Sequence, residues 1–233
     1  MGISPVTLER YSRIAKVLQQ RQPDLTVVAD HVHKGKNLSA IVRTCDAVGV
    51  MTLHSATNDP TFRAHKGTTV GAHKWVDTRV YGDISEPLLE LKNNNFQIVA
   101  ADITDDALDY RQIDYTQPTA LLLGAEIDGI SSKAKPYIDH SITIPMLGMV
   151  QSLNVSVASA IILTEARRQR EQAGFYNDCR LDKTTYQTLL FEWMQPVLAK
   201  YCQKHGLAYP QLDDEGDIAD SSWHQRAKEF GDI

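Results

Sequence analysis

The chain has 233 residues, room for one large α/β domain with appendages or for two small ones, and its 42% hydrophobic content is ample for a packed core. No apolar run approaches the roughly 18 residues needed to span a bilayer, the first residues lack an apolar leader core, and Val6 stands where a myristoylation signal needs Ser or Thr, so no membrane attachment is expected. The net charge of −5 speaks against a nucleic-acid partner only in aggregate: residues 213–232 hold seven acids and two bases and carry the whole excess, which leaves residues 1–212 neutral overall and able to hold basic patches.

Leu8, Tyr11, Ile14 and Leu18 recur at helical spacing and predict an amphipathic N-terminal helix that Pro23 stops. Arg13 and Lys16 fall on its far side, Arg10 and Arg21 near the edge of the stripe; such a charged face is most often simply solvated. From Leu25 short apolar runs alternate with helices. Strands are expected over residues 25–29, 50–54, 74–81, 96–102, 119–123 and 141–146, and helices over 37–48, 85–93 and 131–137. Asn37 is a natural N-cap and Gly49 a natural helix stop. The 119–123 run is wholly apolar, as a strand buried on both faces requires. This alternation predicts an α/β fold with a mostly parallel sheet covered by helices on both sides. A long amphipathic helix follows Ser152 and Asn154, and residues 183–201 have helical spacing again. Beyond Gln203 the chain is polar and acidic, with Gly206, Pro210 and Gly216 as breakers. Cys45, Cys179 and Cys202 show no CxxC spacing, which fits reduced thiols in a cytosol rather than disulfides or a zinc site.

Three segments carry chemistry. In residues 37–50, Asn37 and Arg43 are six apart and do not share a helix face; a cap and a surface cation explain them taken singly. In residues 121–131, Gly124 and Glu126 follow a buried strand at its carboxyl end, where open α/β sheets bind ligands. The glycine admits close approach to the backbone, and Glu126 equally suits a helix start. The spacing is neither a dinucleotide fingerprint nor a P-loop, which sets aside a Rossmann oxidoreductase. In residues 144–170, Ser152 and Asn154 either cap the helix or hold a ligand's polar groups, and Met146, Leu147, Met149 and Leu153 offer soft apolar surface to a flat ring.

Taken in this order, Asn37 with Arg43, Gly124 with Glu126, and Ile144-Pro145-Met146 with Ser152-Leu153-Asn154 resemble the SPOUT superfamily of RNA methyltransferases, within it the SpoU, or TrmH, group of ribose 2'-O-methyltransferases. The similarity extends through most of residues 8–200. RQPDLTVV (21–28), VGAHKWV (70–76), IDYTQPTA (113–120) and SLNVSVASA followed by EARRQR are similar to the branch that modifies guanosine 18 in the D-loop of tRNA.

The resemblance implies a C-terminal deep trefoil knot, which pattern alone never predicts, in a domain over 24–172 flanked by a basic helix (1–23) and a helical extension with an acidic tail (173–233). It implies S-adenosyl-L-methionine as methyl donor, held by Ala101, Gly124, Glu126, Ile144, Met146, Ser152 and Leu153. Ala101 stands where relatives often have Thr, and Ile127 where they often have Lys. Arg43 is implied as the catalytic residue, supported by Asn37, Asn154, Glu126 and Ser152. An arginine with a pKa of roughly 12 or more is an awkward base, so it is expected to position the hydroxyl and enlist an RNA phosphate. Arg13, Arg21, Arg168 and Arg170 are expected to contact tRNA, and the enzyme to act as a cytoplasmic homodimer. Methylation of another RNA, or a silent RNA-binding module on the same fold, remains the alternative.

Overall fold

The computed structural model describes residues 7–32, 34–57, 71–223 and 225. These form two compact units: residues 22–177, and a second unit in which residues up to 21 join those from 178 onward. The helix and the extension that the sequence set apart at opposite ends of the chain thus belong together.

Helix α1 (Leu8–Gln19) belongs to the terminal unit. Thr7 caps it, its hydroxyl accepting from the Arg10 amide at 3.2 Å. Ile14 and Leu18 are its buried residues, and Arg13 is exposed.

The larger unit is a seven-stranded sheet, β1 (Leu25–Asp30), β2 (Thr52–Ala56), β3 (Asp77–Tyr81), β4 (Gln97–Ala101), β5 (Leu108–Asp109), β6 (Thr119–Leu123) and β7 (His140–Thr143), with α2 (Gly35–Val48), α3 (Ser85–Asn93) and α4 (Val155–Gln172) covering it. The order is β3-β2-β1-β6-β4-β7-β5 and every pairing is parallel. The central strands are buried on both faces, and their alternation sorts side chains between two cores. Leu25, Val27 and Ala29 of β1, with Leu121 and Leu123 of β6, meet Leu38, Ile41, Val42 and Cys45 of α2 and Ile162, Leu163 and Ala166 of α4. Val28, Ala120 and Leu122 point the other way, onto Leu88 and Leu91 of α3. Gly49, at φ 86°, ends α2 in the left-handed conformation that spares glycine a steric cost.

In the terminal unit α1 is joined by α5 (Lys183–Met194) and α6 (Pro196–His205). Phe191, Leu198, Ala199, Tyr201, Cys202 and Trp223 form a small core. The single helix expected over 183–201 is broken because Pro196 lacks an N–H and starts a new helix, with Gln195 at φ −124°, ψ 56° between the two.

Other corrections are local. Residues 72–74 form a 3-10 turn, so the third strand starts at Asp77. Only Lys135–Tyr137 of the 131–137 segment is helical, and as a 3-10 turn. The two-residue β5 carried no sequence signal. Among the described residues no helix is long and apolar enough to cross a membrane, and no cluster of His, Cys, Asp and Glu is arranged to hold a metal ion.

Candidate active site

The carboxyl ends of β4, β6 and β7 lie side by side, and the loops leaving them, with the start of α4, enclose a cavity of about 460 Å³, within the size range of small-molecule sites. Ala101, Gly124, Glu126, Ile144, Met146, Ser152, Leu153 and Asn154 all line it. All the positions that the resemblance assigned to the methyl donor therefore surround one space. Leu147 and Met149, which the sequence suggested as further soft wall, are instead fully exposed.

Gly124 has a sharper role than close approach to a ligand. A Cβ there would lie 2.4 Å from the Gly129 carbonyl carbon and 2.7 Å from the Ile130 nitrogen. The chain itself occupies the room glycine frees: Ala125 N–H donates to Gly129 O at 2.9 Å, and Gly129 N–H to Ala125 O at 3.0 Å. This closure pushes residues 126–128 outward as a tight loop. Its return is pinned by the fully buried Asp30, whose carboxylate accepts from the Ser131 amide at 2.7 Å.

On that loop Glu126 is the meeting point. It accepts hydrogen bonds from the Lys34 ammonium, from the Asn37 amide, and from Asn154 Nδ2 at 3.0 Å, while Asn154 Nδ2 also lies 3.4 Å from Asn37 Oδ1. Three segments remote in sequence converge here: the start of α2, the loop after β6 and the start of α4. The Lys34 hydrogen bond, reinforced by Asn37, holds the Glu126 carboxyl below the usual carboxylate range, against the opposing effect of desolvation. Glu126 is thus an acceptor that fixes both amides.

Asn37 is not the cap the sequence suggested. Helix α2 begins at Gly35, its first residue following Lys34, and no side chain caps it; Asn37 lies inside the first turn with its amide turned to Glu126. Asn154 is the cap foreseen for it and also lines the cavity. Its Oδ1 caps α4, accepting from the Ser156 amide at 2.9 Å, while its Nδ2 serves Glu126. Lys34 was missed, because a helix read as starting at Asn37 leaves Lys34 in a loop; an earlier helix start is the one cue that places it a turn before Asn37.

Arg43 stands apart. It is exposed on α2, does not line the cavity, and makes no hydrogen bond or ion pair among the described residues. Six residues of helix separate it from Asn37, enough to turn it about a third of the way round the axis.

The four arginines expected at RNA divide. Arg13 and Arg168 are exposed, Arg168 in a two-pronged ion pair with Glu165 at 2.7 and 2.8 Å. Arg170 and Arg21 have no exposed surface, which corrects the expectation for both. Arg170 continues the buried stripe of Ile162, Leu163 and Ala166 on α4. Its guanidinium donates to Tyr115 O (2.8 Å), Asp24 Oδ1 (2.5 Å), Asp24 O (3.1 Å), Gln117 O (3.1 Å) and Gln22 Oε1 (3.2 Å). That is its whole complement of N–H groups. Arg21 lies over the Trp193 ring, 5.3 Å from its centroid.

Comparison with known proteins places this geometry. The model of the SpoU rRNA Methylase family matches residues 24–164, and that of the SpoU rRNA methylase C-terminal region matches 168–221. The tRNA (guanosine(18)-2'-O)-methyltransferase of Escherichia coli K12 is 46% identical over 217 residues, which cover 92% of this chain and 95% of that protein. The crystal structure of the TrmH/SpoU tRNA modifying enzyme of A. aeolicus superposes with a TM-score of 0.77 at 45% identity, covering 81% of this chain and 97% of that one. The SpoU methyltransferase AviRb of Streptomyces viridochromogenes, solved in complex with the cofactor AdoMet, gives a TM-score of 0.58 at 26% identity over 66% of this chain and 62% of that one.

Proposed function

The chain belongs to the SpoU rRNA Methylase family, and from that membership we propose that it transfers a methyl group from S-adenosylmethionine to a ribose 2'-hydroxyl of tRNA, at guanosine 18. The observation that carries this reading is the convergence of Asn37, Glu126 and Asn154 at the cavity between the strand ends. A relative that covers nearly the whole chain at 46% identity supports the nucleotide and the substrate.

The cavity suits the donor chemically. Its wall mixes apolar and polar surface, with Ala101, Ile144, Met146 and Leu153 for a purine, and polar groups from Ser152 and Asn154. Bound there, S-adenosylmethionine supplies a methyl group activated by its sulfonium.

The residues have distinct tasks. Glu126 is an acceptor that holds the Asn37 and Asn154 amides in one orientation, so that the site needs little rearrangement as the reaction proceeds. Ser152 and Asn154 shape the wall beside the methyl group. Arg43 grips an RNA phosphate and the 2'-hydroxyl, aligning the hydroxyl for in-line attack while the phosphate takes its proton. Arg43 makes no hydrogen bond or ion pair among the described residues and does not line its own chain's cavity, which supports a role at the cavity of a second copy in a homodimer. Arg13 and Arg168, both exposed, contact the tRNA backbone. The segment from β6 through α4 is tied in a deep trefoil knot, as in the family, and the enzyme works in the cytoplasm.

Incubation with transcribed tRNA and methyl-labelled S-adenosylmethionine tests the reading. Label in an alkali-resistant dinucleotide at position 18 is expected, and no label in any RNA sinks it. Label in ribosomal RNA alone favours the second reading, which the family's own description suggests. An Arg43→Ala variant is expected to lose activity by about 100-fold or more, the scale of a lost positioning group, while keeping donor affinity.

A further inference from the structure

Building on that reading of the cavity, we infer that Asp102 selects the cationic methyl donor over its demethylated product. Asp102 is the first residue beyond β4, half-buried, and lines the cavity; its backbone N–H donates to Ile142 O at 3.1 Å, which ties it to the end of β7. Of the residues that line the cavity, Asp102 and Glu126 are the charged ones, and both are acids. Glu126 is engaged by Lys34, Asn37 and Asn154. Among the described residues, no hydrogen bond or ion pair engages the Asp102 carboxylate. Among the described residues, the charge in the cavity lining that has no partner is therefore the Asp102 carboxylate, and Ala101, Ile103, Ile142 and Ile144 line the same cavity.

A negative charge in a cavity partly walled by protein acts over a longer range than one in open water, because the low-dielectric surroundings focus its field. S-adenosylmethionine carries a sulfonium, an ammonium and a carboxylate. S-adenosylhomocysteine, left after methyl transfer, keeps the ammonium and carboxylate but has a neutral thioether. The two ligands differ by one positive charge and one methyl. A carboxylate in the wall favours the first and leaves the second nearly untouched, so Asp102 helps the spent donor to leave. Any contact of Asp102 with the ribose hydroxyls or the ammonium is common to both ligands and cancels from the ratio of their affinities.

That ratio is the test. Calorimetric titration of the full-length protein with S-adenosylmethionine and with S-adenosylhomocysteine gives it directly, without RNA or turnover. In Asp102→Asn, which keeps the size and the acceptor oxygen, the donor-to-product affinity ratio is expected to fall by about tenfold, as for a unit charge at several ångströms in a partly screened site. Asp102→Glu retains most of the wild-type ratio. Sinefungin, whose amine replaces the sulfonium, follows the donor. In steady-state assays, product inhibition tightens relative to KM. A ratio that stays put while both affinities drop together overturns the inference in favour of a hydroxyl-binding role, and unchanged affinities overturn it outright. Wild-type protein that binds neither ligand refutes the proposed function itself. If Asp102→Asn does not fold, Asp102→Ser gives the same reading.

Discussion

The two ends of α4 use polar side chains in opposite ways. At its start, Asn154 belongs to a cluster open to solvent, in which Glu126 keeps 25% of its side-chain surface and Lys34 keeps 71%. At its end, Arg170 is sealed from solvent and spends all its donors on the chain entering β1 and the approach to β6. The first cluster adds little to stability, since solvent screens exposed ion pairs, and its groups stay accessible to a ligand. The second holds three segments of the fold together and is closed to any partner. Polar residues of one helix thus divide by burial into those that serve the site and those that serve the fold.

Four substitutions sharpen or break that division. The largest effect belongs to the buried end: Arg170→Ala removes five donated hydrogen bonds, among them those to the Asp24 carboxylate and the Tyr115 carbonyl, and is expected to cost about 3–5 kcal/mol in denaturant unfolding. Arg170→Lys recovers little of it, because an ammonium cannot reproduce the planar fork. If Arg170→Ala instead melts like wild type and lowers tRNA affinity, the division fails. Next comes Gly124→Ala. Its Cβ has backbone on the far side and no room, so the 126–128 loop must shift. Activity is expected to fall about 100-fold, the scale of a roughly 1 Å misplacement, and wild-type turnover would show that the loop is not a fixed part of the site.

A third, smaller effect follows from Lys34. In the folded protein the Glu126 carboxyl lies below its usual range because Lys34 donates to it. A carboxyl so depressed favours the folded, ordered cluster at neutral pH and loses that contribution as pH falls through the depressed value. Lys34→Ala lets Glu126 take a proton at higher pH, where the neutral carboxyl holds the two amides less strongly than the carboxylate does. The acid limb of the pH–rate profile is therefore expected to move upward, with the neutral-pH rate reduced only a few-fold, roughly as for one exposed charged hydrogen bond. A limb that does not move detaches Lys34 from the site. The smallest effect is at Arg168, where alanine should flatten the salt dependence of tRNA binding by about one unit of slope. It should leave stability essentially unchanged.

Much of this was legible in the chain. The 119–123 run, apolar beyond Thr119, marked a doubly buried strand, Gly49 marked the end of α2, and the spacing of the 144–170 segment marked a helix led in by Asn154. Errors arose where a local rule met a longer one. Asn37 is a good cap in isolation, yet a helix starting at Gly35 and a carboxylate on another loop claim its amide. Gln195 and Pro196 sit within apolar helical spacing, yet the missing N–H wins. Arg170 falls on the buried stripe four residues after Ala166, and only its charge argued for the outside.

The sequence alone determined the elements and their hydrophobic faces, because strand and helix periodicities are local properties of a chain that must hide its apolar side chains. Through its motifs it also pointed to the family. The tertiary structure decided which polar residues meet. Lys34, Asn37, Glu126 and Asn154 converge only because β6 inserts between β1 and β4, and Arg170 is buried only because α4 ends over the entry to β1. Such meetings join residues about 30 to 150 positions apart, and no short-range pattern carries information over that distance.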